Sequence, residues 1–475
     1  MRLTVEPTEG PVDECPTTAV TQAPSGAAVS LEVRTVDAAG HSWRSVASFR
    51  AGGDGVVDLS RDPPVDGPHE GPDPAVPFWA MEFASDDAAP VAFLAPPDRL
   101  EYLVEVRSNG EAASRRIVRR WMAEGVRREQ LRGDGFSGSL FLPAGDDAAP
   151  AVLLVPGSTG VGALEPEAAL LASRGYCAFV AGYLQEAGLP PSLREIPVEA
   201  LVSATQALAG DERVKGERIG WIAASVGTQG ALAALALADP PVGCVVAIAP
   251  SSVIWQALPE NGRPPRTAAW AHAGQPLPWL PIHGERLLPE IVRHKILERF
   301  SRQPRPTALH MRPAYEPSLR DRDAVTQASI PVERIDCPLL VVSGDADEMW
   351  PASEMSDSII ERRRNHGVGS EDRQLRFADA GHFIRPPITP TTIPWSADLV
   401  SGGTAEGNAH AQAASWAAKL EFLSSATENC RSMNTEKCRS SVACERLCGG
   451  LRPRRPMRWW PLGRCAVRSR PFSVG

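Results

Sequence analysis

Residues 222–227 read Ile-Ala-Ala-Ser-Val-Gly, where an apolar run gives way to a helix-forming one. A serine on a tight strand-to-helix turn presents its hydroxyl above a sheet. It needs small residues two before and two after it, because strand and helix backbones nearly touch there. Here those residues are Ala223 and Gly227, so the pattern departs from Gly-x-Ser-x-Gly at its first position. The same turn aims the Val226 N–H, at the positive end of the helix, towards the serine's surroundings. Ser225 is the candidate nucleophile, and the Val226 N–H is one candidate donor to an oxyanion.

A serine hydroxyl is a weak nucleophile and needs a general base, itself held by an acid. On a sheet with such an elbow the chain order is serine, acid, histidine. Val341 to Gly344 ends an apolar run and leads into Asp345 and Asp347. Leu375-Arg376-Phe377 reads as a further strand, with His382 on the loop after it. His382 would take the Ser225 proton and return it to the leaving group, and Asp347 would fix the imidazole tautomer. Earlier in the chain stands Gly157-Ser158-Thr159-Gly160-Val161-Gly162. It lacks the Gly-Lys-Ser/Thr ending of a P-loop and the spacing of a dinucleotide loop. Backbone N–H groups around Ser158 and Thr159 would instead complete an oxyanion hole. Singly, each feature has an ordinary explanation. A small-x-Ser-x-Gly string recurs by chance, a Gly-Asp loop is a common turn, and His382 is one of nine histidines. Their order and their shared strand-end setting point to a hydrolase.

These side chains need a scaffold, and the periodicity supplies one. Up to about residue 120, apolar and polar residues alternate, as in Val29-Leu31-Val33 and Tyr102-Val104-Val106. Turn signals at Ala39-Gly40, Gly52 to Gly55 and Asn109-Gly110 punctuate them, so residues 1–120 read as a small β-sandwich. From residue 121 to 425 strands alternate with helices. Apolar strands are expected at Ala151–Val155, Tyr176–Val180, Ile219–Ala224, Cys244–Ala249 and Pro338–Val342. Helices are expected at Leu164–Ser173, Leu193–Leu208, Gly227–Ala238 and about Ala409–Leu423. That rhythm implies a mostly parallel sheet with helices on both faces. Residues 252–330 are proline-rich and read as an irregular insertion that could cap the carboxyl edge of the sheet.

The chain has 475 residues, 43% of them hydrophobic, which suits two domains. The net charge of −8 argues against a dedicated nucleic-acid binder. Met1 to Gly10 hold Glu6 and Glu9 and no apolar run, so no secretory signal is expected, nor is a membrane span. Four scattered body cysteines suggest a reducing compartment, and with it the cytoplasm. Residues 426–475 differ. From 430 onward they hold eleven Lys/Arg against two Asp/Glu, and five of the nine cysteines. Cys438, Cys444 and Cys448 lack paired zinc-ligand spacing, so no metal is expected. The segment reads as a disordered or aberrant extension.

Several stretches, in order, resemble the acyl-CoA thioesterase and bile acid-CoA:amino acid N-acyltransferase family. They are residues 49–59 (FRAGGDGVVDL), 71–81 (GPDPAVPFWAM), 125–129 (GVRRE), 141–143 (FLP), 330–335 (IPVERI), and Ala380-Gly381-His382 followed by Pro386-Pro387. The family's Gly-x-x-Asp-x-x-Trp spacing from Gly344 to Trp350 favours Asp347 over Asp345. The resemblance implies an immunoglobulin-like N-terminal sandwich and a C-terminal α/β-hydrolase domain. It implies an acyl-CoA substrate and no cofactor. Serine members tend to hydrolysis and cysteine members to transfer onto an amino acid, so Ser225 points to a thioesterase. The alternatives are a carboxylesterase or an acyl-CoA:amino acid N-acyltransferase.

Overall fold

The strands on which the candidate residues depend are almost wholly apolar and buried on both faces. Ala151–Val155, Cys177–Gly182 and Leu339–Gly344 contain no exposed position. Such runs suit a parallel sheet covered on both sides. The computed structural model describes residues 1–85, 88–258, 265–300 and 307–440. Within it these strands join an eight-stranded sheet. Its order is Arg127–Gly133, Phe136–Leu142, Cys177–Gly182, Ala151–Val155, Ile219–Ala224, Val242–Ile248, Leu339–Gly344, Arg373–Phe377. The first two strands pair antiparallel, as do the second and third, and every later pair is parallel.

Successive side chains point to opposite faces of a strand, and here that alternation sorts them into two cores. Leu153, Val155, Phe179, Trp221 and Val341 face one core with the helices Glu199–Ala209, Val226–Ala238 and Ala352–Asn365. Val152, Leu154, Val180, Ile222 and Val342 face the other, against Glu165–Ser173 and the helix that begins at Ala405. Lys419 of that last helix forms a fully buried ion pair with Glu167, tying both helices of this face together.

The N-terminal part is all β. A six-stranded sheet runs in the order Glu9–Pro11, Glu111–Arg120, Arg99–Ser108, Ala28–Val36, Ser42–Arg50, Glu82–Phe83. A three-stranded sheet joins Arg2–Glu6, Thr17–Thr21 and Val57–Asp58. The inward residues of both sheets, including Leu3, Val20, Leu31, Trp43 and Tyr102, belong to the same cluster as the second face of the parallel sheet. Polar contacts also cross this boundary. Trp416 Nε1 donates to Asp13 at 2.6 Å, and Trp395 Nε1 donates to the Pro90 carbonyl at 2.8 Å.

Three sequence expectations differ from the structure. The helix expected from Leu193 begins only at Glu199. Pro197 has no N–H to give, and Glu195 has φ 48°, so Ile196–Pro197 pairs instead with Trp270–Ala271 as a short parallel strand. The insertion at 252–330 is not irregular throughout, since Leu288–Phe300 is a helix and Arg322–Ala328 another. Four of its prolines, Pro259, Pro264, Pro304 and Pro306, lie outside the described residues. The helix expected over Ala409–Leu423 spans Ala405–Ser440. Met1–Cys430 form one unit and Arg431–Gly475 a second, of which 431–440 is helical. Of residues 426–475, read as a disordered or aberrant extension, 426–440 are helical and 441–475 lie outside the described residues.

Lys419→Met leaves the Glu167 carboxylate buried without its partner. It should lower stability by about 3–5 kcal/mol, read as the urea midpoint at constant slope. Adding Glu167→Leu should recover most of the loss, and an unchanged midpoint in the single variant would contradict the pairing.

Candidate active site

Ile219–Ala224 delivers Ser225 to the carboxyl edge of the sheet, and Val226–Ala238 leaves it at once. So sharp a reversal forces the backbone into a region that L-residues avoid, and Ser225 has φ 53° and ψ −129°. Such a conformation costs about 1–3 kcal/mol and persists only when its surroundings hold it. The Ser225 N–H donates to the Ile248 carbonyl at 2.9 Å. Gly227 lies against the preceding strand end: a Cβ there would overlap the Pro156 carbonyl oxygen and come within 2.8 Å of that of Val155. Ala223, where the usual pattern has glycine, is fully buried, its backbone registered between Val155 and Ala247.

The three sequence-selected side chains converge. His382 Nε2 lies 2.9 Å from Ser225 Oγ, and His382 Nδ1 lies 2.7 Å from Asp347 Oδ2. His382 and Asp347 are buried, while Ser225 keeps partial exposure. The other oxygen of Asp347 accepts the N–H groups of Met349 at 2.8 Å and Trp350 at 3.1 Å. That carboxylate is thus oriented from both sides. Asp345 is turned away and pairs with Arg376 at 2.6 Å. Burial pushes its carboxyl up, but hydrogen bonds from Ser353 and Arg376 outweigh this and hold it below the usual carboxylate range.

The Gly157–Gly162 loop lies beside the serine. A Cβ on Gly157 would sit 3.2 Å from Ser225 Cβ, so only glycine brings the loop this close without displacement. Ser158 is half-buried, Thr159 exposed, and the Gly160 N–H closes a turn onto the Gly157 carbonyl at 3.3 Å. Val226 is the first residue of its helix, so its N–H has no acceptor within that helix.

Other residues hold the histidine loop in place, and motif reading missed them. Asn408 Oδ1 accepts the Gly381 N–H at 2.8 Å, and its Nδ2 donates to the Gly402 carbonyl at 3.2 Å. The His382 N–H donates to the Ser401 carbonyl at 2.8 Å, and Ser401 is bonded through both its N–H and its hydroxyl to the Pro394 carbonyl. The segment before Pro394 is anchored on the β-domain: the Thr391 N–H bonds the Trp79 carbonyl at 2.9 Å and the Thr392 hydroxyl that of Met81 at 2.5 Å. On the acid side, Arg312 Nη1 donates to the Asp345 and Asp347 carbonyls at 3.3 and 3.2 Å. The Gly402-Gly403 pair, just before the last helix, was the one local signal of a tight turn here. Among the described residues, no cluster of three or more His, Cys, Asp or Glu side chains could hold a metal ion.

A mostly parallel eight-stranded sheet with a serine on its strained strand-to-helix elbow is the α/β-hydrolase architecture. The chain belongs to the acyl-CoA thioesterase and bile acid-CoA:amino acid N-acyltransferase family. Residues 13–133 match its "Acyl-CoA thioester hydrolase/BAAT N-terminal region" and residues 196–429 its "BAAT / Acyl-CoA thioester hydrolase C terminal" region. Mouse acyl-coenzyme A amino acid N-acyltransferase 1 is 26% identical over 439 residues, 89% of this chain and 97% of that one. Mouse acyl-coenzyme A thioesterase 6 is 26% identical over 82% of this chain and 87% of its own length. Mouse acyl-coenzyme A thioesterase 2, mitochondrial, is 26% identical over 82% and 81%.

Asn408→Ala frees the Gly381 N–H and loosens the histidine loop. Labelling of Ser225 by a fluorophosphonate should slow on the order of 10- to 100-fold, while the thermal midpoint drops by only a few degrees. A lower midpoint with undiminished labelling would make Asn408 purely structural.

Proposed function

We propose that the chain is a serine-dependent acyl-CoA thioesterase, converting an acyl-CoA and water to the free acid and CoA. Ser225 Oγ attacks the thioester carbonyl while its proton passes to His382 Nε2. The Val226 N–H and the backbone around Ser158 and Thr159 receive the negative charge on the carbonyl oxygen. Each such donor contributes about 2.7–4 kcal/mol to the transition state. Collapse expels the CoA thiolate, which takes the proton from His382, and leaves an acyl ester on Ser225. His382 then draws a proton from water as that water attacks the ester, and the acid departs with Ser225 restored. Asp347 keeps Nδ1 protonated and stabilises the imidazolium that forms twice in each cycle.

One observation carries this reading: a histidine bridges a strained, partly exposed serine and a buried carboxylate at 2.9 and 2.7 Å. The family supplies the class of substrate. We further propose residues 1–120 as an immunoglobulin-like sandwich and 121–425 as the catalytic domain. Of the β-domain, the Trp79 and Met81 carbonyls brace the segment behind His382. An N-acyltransferase is the second reading, favoured by the mouse N-acyltransferases that match over nearly their full length. Both readings share the acyl-serine and differ in whether water or an amine resolves it.

Thiol release from a panel of acyl-CoA chain lengths separates the possibilities. Ser225→Ala should reduce kcat on the order of 10⁴-fold or more with the fold intact. Added glycine or taurine should leave the acid as the product. Amide product would move the assignment to transfer. Full turnover by Ser225→Ala would remove the serine from the chemistry.

A further inference from the structure

The helix Leu288–Phe300 is apolar on two sides. Leu287, just before it, and Ile291 pack into the core. Leu288, Val292, Ile296 and Phe300 are all more than half exposed, Phe300 at 80%. Four-residue spacing places these four within an arc of about 120°, along a stripe roughly 18 Å long. A helix at a protein surface ordinarily turns polar residues outward, and an aligned apolar stripe of this kind marks a contact surface.

The charges beside the stripe identify the contact. Arg293 borders it on one flank, Lys295 and Arg299 on the other, and all three are exposed. Arg293 lies 3.8 Å from Glu290, whereas Lys295 and Arg299 have no carboxylate partner among the described side chains. An apolar stripe bordered by exposed cations is complementary to a bilayer surface, where acyl chains lie beneath anionic headgroups. The inner side of the helix is fixed in place. Glu290 holds the His310 ring at 2.6 Å and its N–H at 3.2 Å, and Arg312, two residues on, reaches the Asp347 carbonyl. The stripe therefore sits on a fastened helix, attached to the segment that supports the active-site acid. We infer that Leu288–Phe300 is a docking surface for anionic lipid membranes, lying in the interfacial plane without crossing the bilayer. No helix among the described residues is long and apolar enough to cross.

The test is co-sedimentation of the full chain with vesicles of phosphatidylcholine alone, and of phosphatidylcholine containing phosphatidylserine as a third of the lipid. The chain should bind the mixed vesicles in preference. Val292→Ser with Ile296→Ser and Phe300→Ser should weaken that binding at least tenfold. Lys295→Glu with Arg299→Glu should abolish the preference for phosphatidylserine. Neither set should alter turnover of a short-chain, freely soluble acyl-CoA, which shows that the variants are folded. Vesicle binding and thiol release are measured separately, so failure of one leaves the other standing. No binding to either vesicle would overturn the assignment. Equal binding by the variants would do so too, since another part of the chain would then carry it. Self-association that the serine variants abolish would assign the stripe to a second copy of the chain instead.

Discussion

The site depends on one backbone conformation, that of Ser225 at φ 53°. Nothing in serine favours it. Close contact holds it: the helix after the serine begins so near the strand end Val155-Pro156 that position 227 has no room for a side chain, and the Ser225 N–H is tied to the neighbouring strand at Ile248. The cost of the turn is offset by burial of the strands on both faces of the sheet. What the strain brings is placement, with a hydroxyl standing clear of the sheet and the helix's first N–H beside it.

The histidine is placed by a different means. His382 sits on a loop, and a loop gains rigidity from hydrogen bonds to its neighbours. Asn408 from the last helix, Ser401 from the preceding turn and the 391–394 segment together fix it, and that segment in turn rests on the β-domain at Trp79 and Met81. The two parts of the chain thus share more than a boundary. Packing of the β-domain against the second face of the sheet and support of the histidine loop belong to one continuous structure, which gives a physical reason for both family regions to occur together in this chain.

Much of this was legible in the sequence, because some physics is local. Alternating burial in Ala28–Val36 and unbroken burial in Leu339–Gly344 follow directly from residue type. The elbow at Ser225 and the order of acid and histidine also leave a trace in the chain. Asn408 left none, since its partner lies 27 residues away and is a backbone N–H that any residue could offer. The helix start at Glu199 was hidden because apolar spacing from Leu193 outweighed the missing N–H of Pro197. The exposed stripe on Leu288–Phe300 was also invisible, because spacing alone does not tell which apolar side of a helix meets the core.

The central claim is that Ser225 becomes acylated, and rapid-quench mass spectrometry addresses it most directly. The chain is mixed with a long-chain acyl-CoA, quenched in acid within milliseconds, and its intact mass and proteolytic peptides are read. An acyl adduct should appear before steady state is reached and map to Ser225 alone, and it should decay as free acid accumulates. Turnover with no adduct at any time, or an adduct on another residue that forms and decays at the turnover rate, would contradict the account.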